Sequence, residues 1–295
     1  MNTVLDPVIL FIPETEWYEE KNQIEFLDHL IDNLENIDQY SLTKIYWNDD
    51  LELYLWASPQ MPPWRLNRDW NNQLLPIIYK FLIKNKVTLN FVNGRSSCTV
   101  SPSMNKCHSD NINDYFLKLM HEIINREEDI FLCLGIKNKL SNNDKYSFVC
   151  TCHSNRLVPE PINKPDDWLY HIDLENNYWP NNIEDDEKFR KAIEIMKKRD
   201  FNNKPLLYKY NFSKQFIRDI LHINRDKKNI LESITKKLTL SRQEANRDLH
   251  DEYLPRRKKF RFRVTQETRI HYLFSDEKGI EFLRYYGEGE HDDGL

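Results

Sequence analysis

Apolar residues recur along this chain with two different periods, and the change of period organises it. Ile24, Leu27, Leu30, Ile31, Leu34 and Ile37 return every three or four residues, the spacing of one helix face. Similar spacing predicts helices over about 74–82, 113–125 and 183–200. The last is acidic at its start and basic at its end, as the helix dipole favours. Short apolar runs, "VILFI", "TKIYW", "LELYLWA", "VTLNFV", "IFLCLGI" and "YSFVCTC", read as strands, with Asn48-Asp49-Asp50 as a hairpin turn between the second and third. Residues 1–205 are therefore expected to be a mixed α/β domain, closed by "FNNKP" with its boundary at Pro205.

After Pro205 the pattern tightens. "LLYKYNFS" reads as a strand, "SKQFIRDILHI" as an amphipathic helix capped by Ser213, and "KKNILESITKKL" as a second helix. A polar loop, "SRQEANRDLHDEYLP", then leads to three strands. The expected fold class is α+β: the N-terminal α/β domain, then residues 206–295 as a small antiparallel sheet with two helices ahead of its last strands.

In "RRKKFRFRVTQETRIHYLF", Lys259, Arg261, Arg263 and Arg269 alternate with Phe260, Phe262, Val264 and Ile270. Strand alternation sends these sets to opposite faces, one apolar and one cationic. Arg256, Arg257 and Lys258 extend the positive run. Such a row sits in water, meets acidic protein, or binds phosphate.

The charge balance sharpens that choice. Of 42 Lys+Arg and 47 Asp+Glu in the 295 residues, 19 and 15 lie from Leu206 onward, leaving 23 and 32 for residues 1–205. A basic C-terminal part thus follows an acidic N-terminal one. Only six glycines are present, none in a dinucleotide or P-loop pattern, so those modes of nucleotide binding are disfavoured. No apolar run reaches the ~18 residues of a membrane span. The start lacks a basic, cleavable leader and the five cysteines are odd in number, so a reducing cytoplasm is expected. Cys98, Cys107, His108, Cys150, Cys152 and His153 form two clusters, but their spacing matches no C-x₂-C zinc site. They read as buried thiols; neither metal nor another cofactor is expected.

"YNFSKQFIRDIL", "KKNILESITKKL", "EAN", "FRFRVTQETRIHYLF" and "IEFLRYYGEGEHDD" together resemble the RelE/ParE superfamily of bacterial toxins, over about residues 206–295. Residues 1–205 carry no such resemblance. The RelE branch implies metal-independent cleavage of messenger RNA in the ribosomal A site; the ParE branch implies inhibition of gyrase. Under the RelE reading, Arg261 and Arg263 fall on the basic "K-x-K" strand and Arg269 on the arginine of "Y-R-L-V-Y", as scissile-phosphate contacts. Arg284, one strand over, joins them, while Arg256, Arg257, Lys258 and Lys259 extend an RNA-binding surface. The family's terminal catalytic tyrosine falls on Leu295, so that role does not carry over. His291 stands near a basic position of the family, with Tyr286 and His271 as further proton-transfer candidates.

The expected partners are messenger RNA and the ribosome for residues 206–295. For residues 1–205, an antitoxin-like or regulatory partner is expected, as in a toxin or antiviral immunity effector. The alternative is a catalytically inactive RelE-like fold used to bind protein or RNA. In that case "EGEHDD" neutralises the arginines, Tyr285 and Tyr286 are core aromatics, and His291 is an ordinary solvated histidine.

Overall fold

The computed structural model describes residues 2–5, 20–40, 44–48, 86–89, 98–101, 110–124, 126, 131–134, 147–150, 155–162 and 164–290, with isolated helical positions between 72 and 84. The chain mixes helix and strand, as expected, and divides into two compact units, Met1–Trp168 and Leu169–Leu295. The division does not fall at Pro205. Helix Asp186–Asp200 belongs to the second unit because its buried face packs there: Phe189 meets Phe212 edge-on at 5.3 Å between ring centroids.

In the first unit, β1 (Asn2–Leu5), β2 (Lys44–Trp47), β3 (Lys86–Thr88), β5 (Phe131–Leu134) and β8 (Glu160–Ile162) form one sheet in the order β3-β2-β1-β5-β8. Every pairing in it is parallel. Parallel strands are covered on both faces, which explains why Ile45, Tyr46 and Trp47 are buried in succession instead of alternating. Helix α1 (Glu20–Tyr40) follows β1 and buries Leu34 and Ile37; Asn33 on it accepts a hydrogen bond from Trp168 Nε1 at 2.8 Å. Helix α2 (Asp110–Ile124) precedes β5.

A second, antiparallel sheet in the order β4-β6-β7 joins Cys98–Ser101, Ser147–Cys150 and Asn155–Leu157. β2 pairs in parallel with β1 on one side and β3 on the other, and the residues of the expected hairpin after Asn48 lie outside the described residues. "VILFI" and "LELYLWA" lie outside the described residues.

In the second unit, α3 (Leu174–Asn177) and α4 (Asp186–Asp200) precede β9 (Tyr210–Phe212), α5 (Lys214–Ile220), α6 (Lys227–Thr239) and α7 (Arg242–Leu249). Strands β10 (Glu252–Leu254), β11 (Lys259–Arg263), β12 (Arg269–Ser275) and β13 (Gly279–Tyr286) follow. The sheet order is β10-β11-β12-β13-β9. Two expectations are corrected here. The sheet is mixed, because β9 pairs parallel to β13. The polar loop after α6 is instead a third helix and an edge strand. Helix α7 starts in a capping box, with Ser241 Oγ accepting from Glu244 N and Glu244 Oε2 accepting from Ser241 N at 2.9 Å.

The core lies between these helices and one sheet face. Phe212 stacks on Phe216 and on Phe282, each at 5.4 Å, and Phe262, Ile270, Tyr272 and Ile280 complete the layer. Below it, Lys237 and Asp251 form a buried ion pair at 2.7 Å, and the Tyr272 hydroxyl donates to both Asp251 oxygens at 2.9 Å. Burial pulls the Lys237 ammonium below its ordinary pKa, with the Asp251 carboxylate opposing that shift.

Candidate nucleic-acid interface

The opposite face of the same sheet carries the cations. On β11 and β12, Arg261, Arg263, Arg269 and His271 occupy positions that alternate with Phe262, Ile270 and Tyr272, but His271, 1% exposed, is as buried as those three. Cross-strand register then lines them up. Glu252, Arg261, His271 and Arg284 follow one another across β10 to β13. Arg263, Arg269 and Tyr286 form the neighbouring row.

A bulge makes this possible. His271 pairs with Arg284, whereas the next residue, Tyr272, pairs with Phe282, so Leu283 has no partner. Strict alternation along β13 would put Arg284 and Tyr286 on the core face with Phe282. The extra residue turns both to the cationic face and puts Tyr285 into the core, a re-aiming typical of bulges. Tyr285 is accordingly buried, and burial pushes its phenol up to about 12.

The cations differ in their partners. Arg261 Nε bonds Glu252 at 2.6 Å. Arg284 Nε bonds Asp219 of α5 at 2.7 Å, and the same carboxylate oxygen accepts from Tyr285 N at 3.1 Å. The Arg284 guanidinium also lies 5.3 Å from the Tyr286 ring centroid, and the Tyr286 and His271 rings are 4.6 Å apart. Arg263 and Arg269 form no ion pair with the described residues, and Arg263 is exposed.

Arg256, Arg257 and Lys258 sit in the turn between β10 and β11, where Lys258 takes a left-handed φ of 54°. Lys259 opens β11 on the same face as Arg261 and Arg263. At ~3.3 Å per residue, the stripe from Lys259 to Arg263 spans about 13 Å. The turn cluster therefore extends the cationic face away from Arg263 and Arg269 and does not join them. His291 lies outside the described residues.

Asp219 and Glu252, which hold two of the arginines, carried no signal in the sequence: ion-pair partners 65 and 9 residues away follow no period. In the first unit, Cys98 and Cys150 are register partners across β4 and β6, and Cys150 Sγ lies 3.4 Å from His121 Nδ1. Cys107, His108, Cys152 and His153 lie outside the described residues. Among the described residues no group of three or more His, Cys, Asp or Glu side chains stands together as a metal site, and no helix is long and apolar enough to cross a membrane. No family model, curated protein or solved structure matches this chain.

Proposed function

We propose that the second unit, Leu169–Leu295, carries over residues 206–295 a RelE-like endoribonuclease domain that cleaves messenger RNA on the ribosome, with the first unit, Met1–Trp168, in a regulatory role. The observation that carries this reading is the convergence of Arg261, Arg263, Arg269, Arg284, His271 and Tyr286 into two adjacent rows on one sheet face. In such a reaction the RNA 2′-hydroxyl attacks the neighbouring phosphorus, the phosphorus–5′-oxygen bond breaks, and a cyclic phosphate forms. One group takes the 2′-proton and another protonates the leaving oxygen. Negative charge gathers on the phosphorane oxygens, where fixed guanidinium groups stabilise it.

Arg263 and Arg269, without carboxylate partners among the described residues, are assigned to the scissile phosphate. Arg261 and Arg284, anchored by Glu252 and Asp219, flank it. Tyr286 is assigned to proton transfer, with His271 packed against its ring.

The full-length chain, added to a cell-free translation reaction, is expected to produce new messenger RNA 5′ ends, mapped by primer extension. These ends should be absent on naked RNA and in Arg269→Ala. A second reading, a binding module without catalysis, is favoured by the two arginines already ion-paired. It predicts that folded protein holds RNA or a protein partner and cuts nothing. Cuts that persist undiminished in Arg269→Ala would remove the assigned face from the chemistry.

A further inference from the structure

Beyond Arg263 the cationic row runs into a cavity of about 380 Å³ between α6, the end of α7 and the β11–β12 turn. Arg263 belongs to both the row and the cavity wall. Lys236 stands on the wall and, like Arg263, forms no ion pair with the described residues. The rest of the wall is mixed: Glu232 and Asp248 bring carboxylates that can accept from a base's exocyclic amine, Leu249 and Val264 are apolar, and the other groups are polar and directional. Asn229, Ser233 and Gln266 present amides and a hydroxyl. Asn229 Nδ2 is held by Asp226 at 3.3 Å, whereas the Gln266 amide forms no hydrogen bond with the described residues. Gln266 sits exposed in the turn that joins the two cationic strands. A site for an apolar side chain would be lined chiefly by apolar groups. This one offers paired donors and acceptors beside a phosphate-binding cation, the combination that reads an unstacked base.

We infer that this cavity receives the base of a single-stranded nucleotide whose phosphate lies on Arg263 and Arg269, and that Gln266 selects that base. The inference rests on the nucleic-acid reading above and adds a sequence preference to it. A glutamine amide donates and accepts side by side and so complements adenine, which presents a ring nitrogen beside its exocyclic amine.

The test uses the full chain and 2′-O-methyl oligonucleotides of A, C or U, in which the blocked 2′-oxygen prevents cleavage. Binding is read by fluorescence anisotropy at low salt. The A oligomer is expected to bind about tenfold more tightly than the others, since one good bidentate pair discriminates by roughly that factor or more. Gln266→Ala should bring A to the level of U and leave U unchanged, whereas Arg269→Ala should weaken all three alike. Equal binding of the three by the unaltered chain, or a preference that survives Gln266→Ala, overturns the cavity assignment and leaves the interface standing. Binding of none of them by folded protein overturns the nucleic-acid reading, and the cavity assignment with it.

Discussion

Replacing Asp251 with alanine tests the energetics beneath the cationic face. Asp251 and Lys237 are each 3% exposed at the side chain, so water is not available to either charge. Asp251 also accepts from the Tyr272 hydroxyl, and the Lys237 ammonium lies 4.9 Å from the Tyr272 ring centroid and 5.8 Å from that of Tyr208. Removing the carboxylate leaves a buried ammonium and a buried hydroxyl without their acceptor. Breaking a buried pair in this way costs about 3–5 kcal/mol.

The contact itself is not worth that much. Replacing the whole constellation by apolar groups, Lys237→Met with Asp251→Leu and Tyr272→Phe, removes both the attraction and the desolvation penalty. That triple variant is expected to lie within about 2 kcal/mol of the parent. Stability would be read in the intact chain from amide hydrogen exchange of β11 and β12 under increasing urea, because two units need not unfold together. The pH dependence supplies a second readout. Between its lowered folded pKa and the ordinary 10.5, Lys237 binds more proton in the unfolded chain, so its contribution to stability rises with pH there. The triple variant lacks that rise. A loss below ~1 kcal/mol for Asp251→Ala, or a triple variant as unstable as the single one, would refute the argument.

Three further outcomes follow from local geometry. Gly279 has φ +76°, and an added Cβ would stand 2.1 Å from Lys209 O, so Gly279→Ala should destabilise the second unit by about 2–3 kcal/mol or more, seen as a fall in its melting temperature. Tyr285 ionises at about 12 when folded against 10.0 when unfolded; the folded state therefore holds its proton longer, and stability falls as pH rises through that window. Urea midpoints across the alkaline range should fall less steeply in Tyr285→Phe, though Tyr272, also raised, keeps part of the slope. Asp219→Ala should release Arg284 as a mobile cation: oligonucleotide binding holds or tightens, with the salt dependence steeper by about one ion, while ribosome-dependent cutting declines. Parallel losses of binding and cutting would instead mean that Asp219 merely supports the fold.

Legibility in the sequence followed the kind of period each element carries. Helix α1 is visible because apolar residues recur at helical spacing from Ile24 to Ile37, even though Ile24 itself is exposed. Helix α7 reads as loop in the sequence because only Ala245 and Leu249 of its eight residues are buried. The S-x-x-E spacing of Ser241 and Glu244 did announce its start and outweighs the missing stripe. The parallel sheet was harder. Apolar runs such as "KIYW" mark a strand but not its direction, which here is parallel to both β1 and β3. On the site, alternation alone placed Arg261, Arg263 and Arg269 together. It would have sent Arg284 and Tyr286 to the core, since nothing in "GIEFLRYY" marks Leu283 as the unpaired residue.

The distribution of carboxylates decides how the cationic face can work. Four arginines packed on one sheet repel one another, and β11 and β12 even place Arg263 directly opposite Arg269. Like charges facing each other across strands are destabilising. The fold relieves this at the margins, where Glu252 and Asp219 hold Arg261 and Arg284, and leaves the Arg263–Arg269 pair uncompensated among the described residues. An arrangement selected only for stability would place an acid at that pair, as it does at the others. On the proposed nucleic-acid reading, a bound phosphate would relieve the repulsion in its stead. Ligand binding and local stability are then coupled: anion should protect the β11 and β12 amides from exchange. Arg269→Ala should stabilise the free protein slightly while removing the protection. If anion leaves exchange unchanged, or if Arg269→Ala destabilises the free chain, the unpaired arginines are held by packing and the phosphate assignment loses its physical basis.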